Sequence, residues 1–392
     1  MSESAMVRFI LALNVLQQSS IWGNRLVLSL IALSLGADPL AVGVLGALFS
    51  LFPATLAVSA GQLADRHGAR RFLMLGSAGS GLGMFMPLLF PSLPSVLFAG
   101  AMTGLATVFF NVTTQSLTGQ WSDPQRRARH FANYSLSSSA GTLIGPLIGG
   151  FAMEHLAQSA TCVLMGVLAM VSLVMLIVLG RPLEPQGRRI APPPKLRFRD
   201  SLQMLADPAV RVTMVCGSLF SAGLNLFHSY MPVYGKLLAL PDSVIGIIVA
   251  LNAVAAFAIR AVLPRLIARL GEQGALTAAL VVSCIGVALI PAFEHPWMLG
   301  LLSLLFGLGL GAGQPVVTQL TYQNSPPGRT GEAIGLKVTG NHAVSMASPL
   351  MFGSIATHFG LGPMFLACAA LMAGGSWLSE WHRRGTEPSR SR

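Results

Sequence analysis

Apolar stretches of about 20 residues recur roughly twelve times along this chain, near 8 to 35, 40 to 63, 72 to 91, 94 to 119, 130 to 152, 160 to 180, 208 to 235, 243 to 264, 273 to 292, 297 to 322, 332 to 357 and 361 to 380. As a helix, each is long enough to cross a hydrocarbon layer about 30 Å thick. In lipid the backbone has no water to bond with, so such runs commit the chain to helices that satisfy their own N–H and C=O groups. Composition agrees, with 53% hydrophobic and 10% charged residues, where soluble domains carry about a quarter charged. A soluble globule is excluded, and the sequence predicts an all-α integral membrane protein with twelve transmembrane helices.

The formal charge of +11 is a matter of placement. Apart from Arg25, Lys236, Arg260 and Lys337, the Lys and Arg residues fall at the N-terminus, in every second loop or in the tail after 380. Basic residues gather on the cytoplasmic side, so this pattern predicts both termini and the central loop there. The basicity is topological, and no nucleic-acid partner is expected. Cys162, Cys216, Cys284 and Cys368 lie within apolar spans at no metal-type spacing and read as small core residues. The first span, with no small-residue cleavage site, reads as an uncleaved helix.

Residues 61 to 71 read GQLADRHGARR, a burst of charge and glycine between two spans. The pattern resembles the loop between the second and third helices of the major facilitator superfamily, matched at Gly61, Leu63, Ala64, Asp65, Arg66, Gly68, Arg70 and Arg71. The resemblance implies a secondary transporter of the twelve-helix bacterial type, in the cytoplasmic (inner) membrane, built from two pseudo-symmetric six-helix bundles. It also implies a gating role for Gly61, Asp65, Arg66, Gly68 and Arg71, and for Arg126 in a later loop of the same side. A proline-rich basic stretch over 181–207 divides an N-terminal bundle (1–180) from a C-terminal one (208–392). The halves match at a single ungapped offset of 203 residues, which pairs Gly43 with Gly246, Leu63, Arg66 and Gly68 with Leu266, Arg269 and Gly271, Gly104 with Gly307, Arg126 with Arg329, and Pro146 with Pro349. Such duplication is the physical basis of alternating access. The second copy of the loop is degraded, with Pro264 for Gly61 and Ala268 for Asp65.

GTLIGPLIGG, 141 to 150, resembles the fifth-helix signature of the superfamily's antiporters at Gly141, Gly145, Pro146, Gly149 and Gly150. Glycines at this spacing permit close helix contact and the proline bends the span, and the match favours export over the alternative of generic small-residue packing. The fourth span departs from those antiporters, since Gly100 stands where they carry an Arg. All 14 acidic residues fall in loops, tails or span ends, so no mid-membrane carboxylate can attract an organic cation or carry a coupling proton.

Cations do occur within spans, where ionisable groups are costly and functional by default. Arg25 and its offset partner His228 crown polar stripes, Asn14, Gln18 and Arg25 on one span and Ser218, Ser221, Asn225 and His228 on the other. The superfamily's helices 1, 4, 7 and 10 line a central cavity, which implies Gln18, Trp22, Arg25, Asn111, Asn225, His228 and Gln314 as substrate-binding residues. Trp22, Phe109, Phe110 and Phe227 would supply apolar contacts. Arg260 weakly resembles an arginine of carboxylate carriers and reads equally as a residue that snorkels to lipid phosphate. Lys337 reads as a second anion contact, an interfacial lysine or a partner of Asp65. His228, with a reference pKa near 6.5, is the candidate carrier of a coupling proton.

The expected function is secondary active transport of a small anionic or zwitterionic amphiphile, outward. A carboxylate uptake symporter is the alternative, and a membrane-embedded enzyme a remote one. No cofactor or metal is expected, the expected partners are the substrate, membrane lipid and a coupling proton or ion, and the expected state is a monomer.

Overall fold

The computed structural model describes residues 3–120, 127–180, 203–325 and 329–386. Arg126, most of the 181–207 segment and the end of the basic tail lie outside the described residues, as do the side chains at positions 61, 62 and 65–67. Among the described residues there is no strand. Eleven α-helices follow one another among the described residues: α1 (Glu3–Ser34), α2 (Pro39–His67), α3 (Ala69–Leu89), α4 (Leu93–Gln120), α5 (Arg127–His155), α6 (Gln158–Leu179), α7 (Pro208–Leu237), α8 (Asp242–Ala288), α9 (Pro296–Gln323), α10 (Thr330–Phe359) and α11 (Leu361–Thr386).

The difference from twelve lies in α8, which runs through two of the expected spans. Its direction changes at Gly271, where φ is 70° and ψ 170°, without a loop between the two parts. Nine of the described helices are long and apolar enough to cross a membrane by length and composition. α1 and α10 are not among them, because Asn14, Gln17, Gln18, Asn24 and Arg25 in one, and Lys337, Asn341 and His342 in the other, interrupt their apolar runs.

Helix ends are set by local chemistry. Asp38 caps α2 by accepting from Ala41 N at 2.8 Å, with Pro39 in the first turn. Gly68 alone separates α2 from α3, at φ 95°. Arg70 then donates from Nε to Leu176 O at 3.1 Å and from Nη2 to Ile177 O at 2.9 Å, satisfying carbonyls at the end of α6. The 203-residue offset is visible in these turns: Gly68 pairs with Gly271, and Gly36 (φ 81°) pairs with Ala239 (φ 53°). Ala239 is the one non-glycine residue at positive φ among those described.

The chain forms two compact units, residues 1–191 with 228–250, and residues 192–227 with 251–392. In the first, Val27, Leu28, Ile31, Leu45, Phe49 and Met165 form one apolar cluster and Phe9, Leu13, Leu73 and Phe110 another. The glycines of GTLIGPLIGG press α5 against α1. A methyl group on Gly145 would stand 2.7 Å from Gly23 N, and one on Gly150 would stand 2.6 Å from Asp242 O and 2.9 Å from Gly246 Cα. Only hydrogen fits there, so backbone meets backbone. At the same end of this unit Glu154 Oε2 accepts from Ser243 N at 2.9 Å, Lys236 and Asp242 pair at 2.7 Å, and Tyr230 donates to Pro39 O at 3.3 Å. In the second unit Met204, Val210, Met214 and Ala333 pack together. Large apolar side chains such as Val174, Val178, Trp377 and Trp381 are exposed, the inverse of a water-soluble surface.

Candidate functional site

The first unit gathers the predicted cation around an aromatic pair. Arg25, one turn after Trp22 on α1, holds its guanidinium carbon 4.9 Å from the centroid of the Trp22 ring and 5.0 Å from that of Phe49 on α2. His228 stacks on the same indole at 4.5 Å with the planes tilted by 46°. Arg25 and His228, partners at the 203-residue offset, therefore both pack on Trp22. The Trp22 and Phe49 rings are both within cation–π range of the guanidinium. Its edge, which carries the N–H donors, finds no protein acceptor among the described residues, and Nε is buried. Phe49 is not legible as a site residue in the sequence, because no pattern in α2 distinguishes it from other core aromatics.

Other members of the expected stripe face elsewhere. Asn14 is fully buried and donates to Ser137 Oγ at 2.7 Å and Ser138 Oγ at 2.8 Å, so it joins α1 to α5. Gln18 is buried beside Gly141. Asn111 is half-buried with an unbonded Oδ1, while Thr107 and Thr114 bond back to carbonyls of their own helix at 2.8 and 2.6 Å. Of the four aromatics expected at the site, only Trp22 takes that place. Phe110 is a core residue, Phe109 packs edge-on against Phe72 at 5.3 Å, and Phe227 packs against Phe306 at 5.4 Å. These side chains answer to helix rotation and to the volumes that must be filled, which local spacing does not specify.

The second unit holds a separate polar chain. Asn225 Nδ2 donates to Ser345 Oγ at 2.9 Å and to Ser221 O at 2.8 Å; Gln314 Nε2 donates to Ser221 Oγ at 3.3 Å; Thr318 Oγ1 donates to Gln314 O at 2.8 Å; and Lys337 Nζ donates to Thr318 Oγ1. Lys337 is 8% exposed. Arg260 lies on an exposed stretch of α8 beside Phe257 and Val262. Asp65 and Arg66 lie in the last turns of α2, Gly61 further back in the same helix, and Arg71 is exposed in the first turn of α3. Among the described residues no group of His, Cys, Asp and Glu could hold a metal ion, and the four cysteines are free.

Apolar helices packed through glycine contacts, with isolated cations and amides inside, define a polytopic membrane protein of the solute-carrier kind. The chain belongs to the Major Facilitator Superfamily, whose family model matches residues 10–349 and 242–392. It is 25% identical to the "Multidrug efflux pump LfrA" of Mycolicibacterium smegmatis, over 84% of this chain and 77% of that protein. It is also 25% identical to the "Multidrug resistance protein MdtG" of Escherichia fergusonii, over 87% of this chain and 85% of that one. In fold it is similar to a mutant of the nucleoside transporter NupG, at a TM-score of 0.81 and 12% identity, covering 96% of this chain and 99% of that structure. A mutant of the peptide transporter POT gives a TM-score of 0.78 at 18% identity, covering 97% of this chain and 94% of that structure.

Proposed function

We propose that this transporter exports a small organic anion or zwitterion with an apolar part, by alternating access, from a site centred on Arg25. The observation that carries this reading is the guanidinium packed on both Trp22 and Phe49 with its donor edge unbonded among the described residues. An arginine within a span stays charged and needs compensation, and a carboxylate in the plane of the fork supplies it bidentately. The indole, with His228 against it, offers an apolar surface beside that charge. The absence of carboxylates from the middle of the spans disfavours an organic cation. Export is favoured by the names of the two relatives and by the resemblance of GTLIGPLIGG to antiporter helices. The distribution of Lys and Arg supports cytoplasmic termini in a cytoplasmic membrane.

The test is a thermal-shift screen of purified protein against aromatic carboxylates, each paired with its uncharged amide. Ligands that bind the folded state raise its apparent stability. The acids should raise the melting temperature while their amides do not, and Arg25→Ala should abolish the difference. Stabilisation by organic cations alone would sink the proposal.

A further inference from the structure

Transport against a gradient needs a coupled driving force, and no carboxylate lies in the middle of a span. We propose, resting on the transporter reading above, that Lys337 carries the coupling proton.

Lys337 is more than nine-tenths buried, and among the described residues no carboxylate pairs with it. Its one acceptor among the described residues is Thr318 Oγ1, whose own hydrogen is committed to Gln314 O. An ammonium group has three N–H donors and no lone pair, so a single acceptor leaves two donors unsatisfied. A neutral amine leaves one N–H and its lone pair unpaired, but it has no charge to bury, and burying an unpaired charge is the larger cost. The geometry is therefore that of a lysine which can stand without its charge. One turn further along α10, the buried and unbonded Oδ1 of Asn341 is a second acceptor within the same stripe, available to the charged form when packing shifts. The chain of contacts from Thr318 through Gln314 and Ser221 to Asn225 and Ser345 ties the nitrogen to α7, α9 and α10 together, so its charge state bears on how these helices pack.

The surrounding charges leave Lys337 as the available group. On α10, Glu332 pairs with Arg329, and His342 lies five residues on. On α9 and α7 the side chains bonded in this chain are neutral amides and hydroxyls, and Arg211 in the first turn of α7 is exposed. On α11, Glu380 is held by Arg383 and Arg384, and on α8, Glu272 by Gln319 and Gln323. His228 is less suited to the task, since a proton there would add a positive charge on the same Trp22 ring that Arg25 packs on. In the cycle, the ammonium of Lys337 gives one proton to water on one side of the membrane and the amine takes one from water on the other, so one proton moves per turn.

The chain has only three lysines, Lys195, Lys236 and Lys337. With Lys195→Arg and Lys236→Arg in place, ¹⁵N labelling at lysine Nζ leaves one signal. That signal should pass from its ammonium to its amine position between about pH 6 and pH 9; an ammonium signal throughout that range would overturn the assignment. In proteoliposomes under an imposed pH gradient, with carboxyfluorescein as the transported probe, Lys337→Arg and Lys337→Gln should each lose gradient-driven accumulation at least tenfold and keep exchange without a gradient. Accumulation by Lys337→Arg at the unsubstituted rate would also overturn it. A titrating Lys337 in protein that moves no carboxyfluorescein upholds the proton site and counts against the organic-anion reading.

Discussion

Arg25 is placed by two rings, Trp22 and Phe49, and a third ring, His228, packs on the first. Trp22 precedes Arg25 by three residues, so their contact is a local property of a helix. Phe49 and His228 arrive from α2 and α7. If the guanidinium edge binds substrate, Arg25→Ala should weaken binding of a carboxylate by at least about 2 kcal/mol, the lower end for truncating one partner of a buried charge pair. Arg25→Lys should recover only part of that, because the fork is lost. Isothermal titration of an acid and its amide separates the charge term from packing, and equal weakening of both would make Arg25 structural. The stripe of Asn14, Gln18 and Arg25 was legible as a pattern, yet Asn14 bonds to α5 instead. A period of 3.6 residues fixes which side chains share a face, not the width of that face that each neighbour covers.

Among the elements, the α1–α5 pair and the tight turns have the clearest local causes. Gly145 lies against the backbone of Ser19 and Gly23, so Gly145→Ala must separate two helices or distort one. A cost of about 1 to 3 kcal/mol is expected, the usual range for overpacking. Thermal unfolding in detergent checks it, and an unchanged melting temperature would mean that the helices part freely. The opposite sign is expected at the α7–α8 turn. Ala239 holds a left-handed conformation that its partner position fills with Gly36, so Ala239→Gly should be neutral or stabilising by up to about 1 kcal/mol, since relief of backbone strain exceeds the added freedom of the unfolded chain. A clear loss of stability would show that the Ala239 methyl group packs productively. The glycine signature on α5 was readable from sequence because close approach demands it, and Gly68 likewise. That Gly271 turns the chain without ending α8 was not readable, because the same residue type serves both outcomes.

At the scale of the whole molecule, the end of α5 is joined to the beginning of α8 by one charged contact and a close glycine approach. Glu154 accepts the Ser243 N–H near the beginning of α8, where a carboxylate also complements the helix dipole. Glu154→Gln should therefore speed amide exchange in residues 242–246 by about tenfold, measured by hydrogen–deuterium exchange, while exchange in α3 stays unchanged. Equal exchange in both proteins would remove Glu154 from any latch. At this scale the sequence by itself determined that the chain is a helical membrane protein, that it is internally duplicated and that it belongs to its superfamily. Those properties follow from quantities local to the chain: runs long enough to cross lipid, backbone that must bond to itself there, and charges and glycines at fixed spacings. Only the tertiary structure decided that Phe49 closes over Arg25, that Phe110 and Phe227 serve the core, and that Lys337 reaches a single hydroxyl. Each of these depends on the rotation of one helix against another, which close packing of all side chains sets together and no single segment encodes.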